Sequence, residues 1–161
     1  MEKKENKLRK VSGVMKKTVK RVTRKTSMQK VVETMAKNKI SCVVVTEYKK
    51  PIGVITERDI LKKVVLKKLD VEQTKAEDIM TKKLVTVTPE NYLVPAGRLM
   101  KNKKVRRFPV VNDKGHLVGV ITETDILAGI INLVKHLDWK LVKMRISVAE
   151  YVQKLKESKF L

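Results

Sequence analysis

Cysteine is almost missing: Cys42 is the single one in 161 residues, which excludes an internal disulfide framework and a cysteine-rich zinc site. Only two histidines accompany it, so a dedicated transition-metal site is not expected. Aromatic residues make up 4%, too few for a single-strand nucleic-acid binder built on stacked bases. No apolar run approaches the roughly 20 residues that a membrane-spanning helix needs. The opening segment MEKKENKLRK lacks the apolar stretch of a secretory signal, so the expected location is the cytoplasm. Catalytic signatures are absent as well. No Gly-x-x-x-x-Gly-Lys-Ser/Thr loop occurs, and no Ser/His/Asp set stands in a recognisable context, so an enzyme is not expected.

Acids are scarce: 17 Asp and Glu face 38 Lys and Arg, a formal charge of +21. The excess is uneven, since residues 1–30 hold twelve Lys and Arg against Glu2 and Glu5. Such a field attracts phosphates of any kind, on nucleotides, nucleic acids or anionic lipid. Its alternative reading is a solvated lysine-rich surface that maintains solubility. What is plentiful is apolar side chain, 42% of the chain, enough to build a core despite the charge. The length suits one domain or two small, closely packed ones.

A duplication organises the chain. Gly53-Val-Ile-Thr-Glu-Arg-Asp-Ile-Leu61 recurs as Gly119-Val-Ile-Thr-Glu-Thr-Asp-Ile-Leu127, differing only at Arg58 against Thr124. The offset there is 66 residues, and upstream it is 65: Val14-Met15 matches Ile79-Met80, Met35 matches Met100, and Lys39-Ile40 matches Lys104-Val105. The slip falls between Lys49 and Lys50, where the second copy carries Gly115 in the turn Asn112-Asp113-Lys114-Gly115. A register kept over so many positions marks a tandem repeat.

Each copy predicts a β-α-β-β-α order. A short strand, Lys20–Thr23 or Leu84–Thr88, precedes a helix opened by the capping-box candidate Thr26-x-x-Gln29 or by Asn91. Met28, Val31, Val32 and Met35 recur at helical spacing, and Pro95 sits in the first turn of the second helix, where its missing N–H matters little. Apolar strands follow at Ile40–Val45 and Ile52–Ile55, and at Phe108–Val111 and Leu117–Ile121. Continuous apolar strands belong to a sheet covered on both faces. Helices through Ile60–Leu66 and Ile126–Val134 close the copies.

These residues carry a resemblance. Two β-α-β-β-α units, each with Gly-Val-Ile-Thr-x-x-Asp-Ile-Leu and each led by a Val/Ile-Met element, resemble a tandem pair of CBS domains, the Bateman module. Arg107-Phe108-Pro109-Val110-Val111 fits the same family, and the likeness spans roughly residues 8–131. It implies an α+β fold of two units packed as a pseudo-twofold pair. It further implies a non-enzymatic regulatory module that binds adenosine-containing ligands (AMP, ADP, ATP or the S-adenosylmethionine class) between the units and forms homodimers. The expected boundaries are a basic arm over 1–9, units over 10–70 and 71–131, and a mainly helical extension over 132–161.

The Thr-x-x-Asp segments also have a physical rationale. Each stands where an apolar strand turns into a helix and free backbone N–H groups face outward. An Asp there can accept hydrogen bonds from both hydroxyls of a ribose. Asp59 and Asp125, with Thr56 and Thr122 beside them, are therefore ribose candidates. The competing reading is local: Thr caps the helix, and Asp favours its positive end. By the family pattern Arg106-Arg107 stand where phosphates are held, and Leu84 and Val85 lie near the adenine. A guanidinium suits phosphate because its fork holds two oxygens. The first copy departs from this pattern. Ser41-Cys42 replace the arginines, Val19 and Lys20 replace Leu84 and Val85, and Arg58 is the candidate substitute cation, with a surface ion pair as its alternative role. Cys42, in an apolar strand, reads as an inert core residue.

Beyond the repeat, Ile130, Val134, Leu137, Leu141, Met144, Val148, Tyr151 and Leu155 form a heptad seam. The capping box Ser147-x-x-Glu150 and the alternation of Val142, Met144 and Ile146 with Lys143 and Arg145 compete for a break within it. Trp139 is expected to anchor this extension on the body. The regulated protein partner is unidentified. The alternative function is a basic nucleic-acid-binding protein that uses the pair as scaffold; a third is a structural adaptor with vestigial clefts.

Overall fold

The computed structural model describes residues 8–137 without a break, together with residues 6, 139 and 150. The expected seam beyond residue 137, and most of the N-terminal arm, lie outside the described residues. In the first unit β1 (Arg21–Thr23), α1 (Met28–Lys37), β2 (Cys42–Glu47) and β3 (Lys50–Thr56) lead into α2 (Glu57–Asp59), which continues as a π-helical stretch over Ile60–Val65. After α3 (Ala76–Ile79), the second unit runs through α4 (Leu93–Lys103), β4 (Arg107–Val111), β5 (Leu117–Thr122) and α5, residues 123–137. β1 pairs parallel with β2 and β2 antiparallel with β3, while β4 and β5 form the matching antiparallel ribbon.

One expected strand does not form. Over Leu84–Thr88 only Val87 bridges β4, through Val87 N–H to the Pro109 carbonyl (3.1 Å) and Val111 N–H to the Val87 carbonyl (2.9 Å). Prolines flank that bridge. In the first unit the Val44 N–H donates to the Lys20 carbonyl at 3.4 Å; its counterpart Pro109 has no N–H to offer Val85. Pro89 likewise cannot donate on the other side, so the ladder stops at one rung. The caps differ too. Ser27 rather than Thr26 caps α1, accepting from the Lys30 N–H, while Thr26 accepts from the Thr23 N–H in the preceding turn. Asn91 accepts from the Thr88 N–H (2.8 Å), which leaves Tyr92 at the N-cap of α4 without a side-chain bond.

Each unit has its own core, and the copies exchange their leading segments to complete both. Met28, Val31, Val43, Val45 and Ile55 form the first core, which also buries Ala76 and Ile79 from the segment that leads the second copy. Leu93, Met100, Phe108, Val110 and Ile121 form the second, which buries Val11 from the segment that leads the first. Paired backbone bonds fasten the exchange: Val11 N–H to the Asn91 carbonyl and Leu93 N–H to the Arg9 carbonyl, against Ala76 N–H to Thr26 and Met28 N–H to Thr74. Beyond each leader the chain crosses the other unit's hairpin, Lys16 bridging Val120 and Thr81 bridging Val54. The repeated glycine makes this crossing possible. A Cβ on Gly53 would fall 2.8 Å from Met80 Cγ, and one on Gly119 3.0 Å from Met15 Sδ. This exchange is the physical content of the pseudo-twofold pair. Trp139, expected as an anchor, is instead 67% exposed, beyond the last turn of α5 that reaches the second core through Ile130.

Candidate functional site

Both Thr-x-x-Asp segments form the same reciprocal cap. In the first, Asp59 Oδ2 accepts from the Thr56 N–H (3.0 Å) and hydroxyl (2.6 Å), and Thr56 Oγ1 accepts from the Asp59 N–H (3.3 Å). In the second, Asp125 Oδ2 accepts from the Thr122 N–H (3.0 Å) and hydroxyl (2.6 Å), and the Asp125 N–H returns to Thr122 Oγ1 (3.2 Å). The local reading of these residues is therefore realised, yet it uses one carboxylate oxygen. The other, Oδ1, faces the crossing strand from the opposite copy. The cap therefore leaves the second carboxylate oxygen of each Asp outside its hydrogen bonds.

The two outward oxygens have different surroundings. Asp59 Oδ1 meets Lys63 Nζ at 2.8 Å and the Thr81 hydroxyl at 3.4 Å. Lys63 also donates to the Ile79 carbonyl at 2.7 Å. Burial works against ionisation of Asp59, but Lys63 and the Thr56 bonds outweigh it and hold the carboxyl below its ordinary range. Among the described residues the ion-pair contact of Asp125 Oδ1 is Lys16 Nζ at 3.7 Å, too far for a hydrogen bond and on a side chain 71% exposed. Thr122 also shares a hydroxyl contact with Thr124 (2.9 Å).

The basic and apolar candidates fall into place around this asymmetry. Arg107 pairs through its backbone with Thr122, but its guanidinium crosses to the first unit and donates to Ser41 Oγ at 3.1 Å. The arginine thus stands between the two caps, and the first copy, which supplies no cation from its own strand, is approached by one from the second. Cys42, beside Ser41, is half-buried; burial pushes its thiol up, against the pull of Arg107. Arg106 is exposed, its carbonyl accepting from the Glu123 N–H (3.0 Å). Arg58 is exposed in α2 and has no ion-pair partner among the described residues. Leu84 and Val85 are half-buried, Val85 against the second core, and follow Thr81 along the segment that meets Asp59; Val19, half-buried, and Lys20, exposed, follow Lys16 along the segment that meets Asp125. The sequence pattern put Leu84 and Val85, and likewise Val19 and Lys20, with their own copy's Asp and did not single out Lys16, Lys63 or Thr81. The signal for Lys16 and Thr81 was their shared place just after Met15 and Met80. A cavity of about 360 Å³ between α1 and α2 is lined by Val32, Lys39, Ser41, Glu57 and Ile60, but by neither Thr56 nor Asp59. Among the described residues no helix is long and apolar enough to cross a membrane.

The CBS-domain family model matches residues 11–66 and again 76–132. The chain belongs to the CBS-domain family. As a CBS pair it is similar to an uncharacterised protein of Methanopyrus kandleri, 42% identical over 87 residues that cover 54% of this chain and 44% of that one. Among solved structures it is similar to a CBS-domain containing protein of Agrobacterium tumefaciens, with a TM-score of 0.63, 27% identity, and coverage of 70% and 89%. The CBS domain pair of the protein MJ0100, solved with 5′-methylthioadenosine and S-adenosyl-L-methionine, has the same fold at a TM-score of 0.65 and 23% identity, covering 74% and 93%. The chain spans about half the length of the curated relatives it matches, 44%, 51% and 55% of the first three.

Proposed function

We propose that this CBS pair is a non-enzymatic sensor of adenosine-containing ligands, and that the ligand enters the cleft at Asp125. The observation that carries this reading is the outward Oδ1 of Asp125, a half-buried carboxylate oxygen with no hydrogen bond among the described residues. Its chemistry suits the paired hydroxyls of a ribose. The base would lie against Val19 and Lys20 on the crossing segment, and a phosphate or carboxylate would reach Arg107, with Arg106 and Lys16 at the rim. The site at Asp59, with Thr56, Ser41, Leu84 and Val85, is the pseudo-symmetric counterpart. The ligands named for MJ0100 are of the same chemical class, which agrees with the proposal. Binding would favour one arrangement of the exchanged segments by its differential affinity for it, and a protein partner would read the difference.

Self-association belongs to the same proposal. Leu61 and Val65 of the first unit and their repeat counterparts Leu127 and Ile131 are all exposed, an apolar face presented twice at a 66-residue offset. A second copy of the chain offers the same face in return, the requirement of a twofold interface. A thermal-shift panel of AMP, ADP, ATP, S-adenosylmethionine and NAD at fixed salt tests the sensor reading. At least one should raise Tm in a saturable manner. A flat response to all five would end it, and a response scaling only with ligand charge and lost with added salt would favour the polyanion-binding alternative.

A further inference from the structure

We propose that Lys63 is a built-in occupant of the first cleft, so that the duplicated clefts are unequal and only the one at Asp125 is open to a ribose. The inference rests on the adenosine reading above and goes beyond it, because the two Thr-x-x-Asp caps are otherwise the same to within 0.1 Å. What differs is the helix that follows. Position 63 is lysine in the first copy, and its counterpart at a 66-residue offset is Gly129.

The lysine is held from two sides. Its ammonium lies 2.8 Å from Asp59 Oδ1, the oxygen a ribose would need, and 2.7 Å from the Ile79 carbonyl. Thr81, from the crossing segment, adds a bond to the same oxygen at 3.4 Å. Every acceptor position of Asp59 is then engaged within the chain: Oδ2 by the cap, Oδ1 by Lys63 and Thr81. Lys63 is 37% exposed and Asp59 15%, so the pair is partly shielded from water and its charge-assisted bond is stronger than that of an open surface pair. The i,i+4 spacing alone would permit such a pair on any helix, but here it falls in the π-helical stretch Ile60–Val65.

The second copy cannot acquire the same plug. A Cβ on Gly129 would fall 2.7 Å from Val14 Cγ1 and 2.8 Å from Leu93 Cδ1, so the leading segment from the first copy occupies the space a side chain would need. Asp125 Oδ1 is left to Lys16, whose ammonium at 3.7 Å and 71% exposure can swing aside without breaking a hydrogen bond. A ligand entering there displaces water and a loose counter-charge. One entering at Asp59 must also break the Lys63 bonds to Asp59 and Ile79. The duplication has therefore diverged into one receptive cleft and one that is closed by its own lysine.

The test uses the full chain, AMP as probe, and two readouts. Isothermal titration should give one AMP per chain for the wild type, weakened about 10- to 150-fold by Asp125→Asn. In Lys63→Ala a second site should appear, at least about tenfold stronger than any residual first-cleft binding in the wild type, the size expected from releasing one charge-assisted hydrogen bond. Adding Asp59→Asn should remove it. Independently of any ligand, carboxyl carbon NMR should show the Asp59 titration moving up in Lys63→Ala. Two equal AMP sites in the wild type, or an Asp59 titration indifferent to Lys63, would overturn the inference while leaving the sensor reading intact. An Asp59 titration that moves as expected, with no AMP heat from wild type or variant, would instead count against the adenosine reading, and the gating role would fall with it.

Discussion

Replacing Asp125 by Asn tests the site with the least collateral damage. The structure explains why Asn is the useful change. Oδ2 is committed to the cap, accepting from the Thr122 N–H at 3.0 Å and its hydroxyl at 2.6 Å, and the Asn carbonyl oxygen can keep that position. The outward Oδ1 becomes an amide NH₂, which donates and cannot accept from a ribose hydroxyl. Losing one hydrogen bond to a charged group is worth about 1.5–3 kcal/mol, or roughly 10- to 150-fold in Kd. Stability should change little, within about 1 kcal/mol, because the cap survives. Asp125→Ala should match the affinity loss and also lose the cap, with a further destabilisation of about 0.5–2 kcal/mol. Titration calorimetry with AMP and urea melts of the same three proteins separate the two effects. Wild-type AMP affinity in both variants would refute the ribose assignment. An affinity loss in Ala but not in Asn would show that only the helix start matters.

Further outcomes follow from the packing and the charges. Gly53→Ala should lower stability by about 1–3 kcal/mol in thermal or urea melts, since its Cβ would sit 2.8 Å from Met80 Cγ; a neutral result would contradict the tight crossing. The lowered Asp59 carboxyl carries a pH signature. Its folded value lies below its unfolded one, near 3.9, so its stabilisation is complete above that pH and fades as pH falls through the folded value. The stability gap between wild type and Asp59→Asn should therefore be constant near neutrality and close below about pH 4; a gap unchanged in acid would argue against the Lys63 pair. Leu127→Lys, on a side chain 58% exposed, should leave the fold intact and weaken self-association by sedimentation; an unchanged mass would place the interface elsewhere.

Much of this molecule was readable from its duplication. The repeated Gly-Val-Ile-Thr-x-x-Asp located both strand-to-helix turns, and the spacing of Met28, Val31 and Met35 located the buried face of α1. Reading failed where the outcome depended on a residue across space. Leu84–Thr88 has strand composition, but its neighbour is Pro109, and only the pairing reveals that a donor is missing. Lys16 and Thr81 gain their place at the opposite copy's Asp from the exchange of leading segments, which no single-copy alignment contains. Lys63 against Gly129 was visible as a mismatch, yet its meaning came from the Ile79 carbonyl that fixes its ammonium. Part of the large positive charge now has an address at Arg107 and Lys16, between and beside the caps; the remainder is still distributed over the surface.

The proposed ligand site is a cleft of this CBS pair in which Asp125 holds the ribose of an adenosine compound. A crystal structure of the protein grown with AMP tests it most directly. The predicted result is a ribose whose hydroxyls meet Asp125 Oδ1, with Lys16 displaced, the base beside Val19 and Lys20, and the phosphate towards Arg107. AMP bound only among surface lysines, with the Asp125 carboxylate untouched, would contradict the claim.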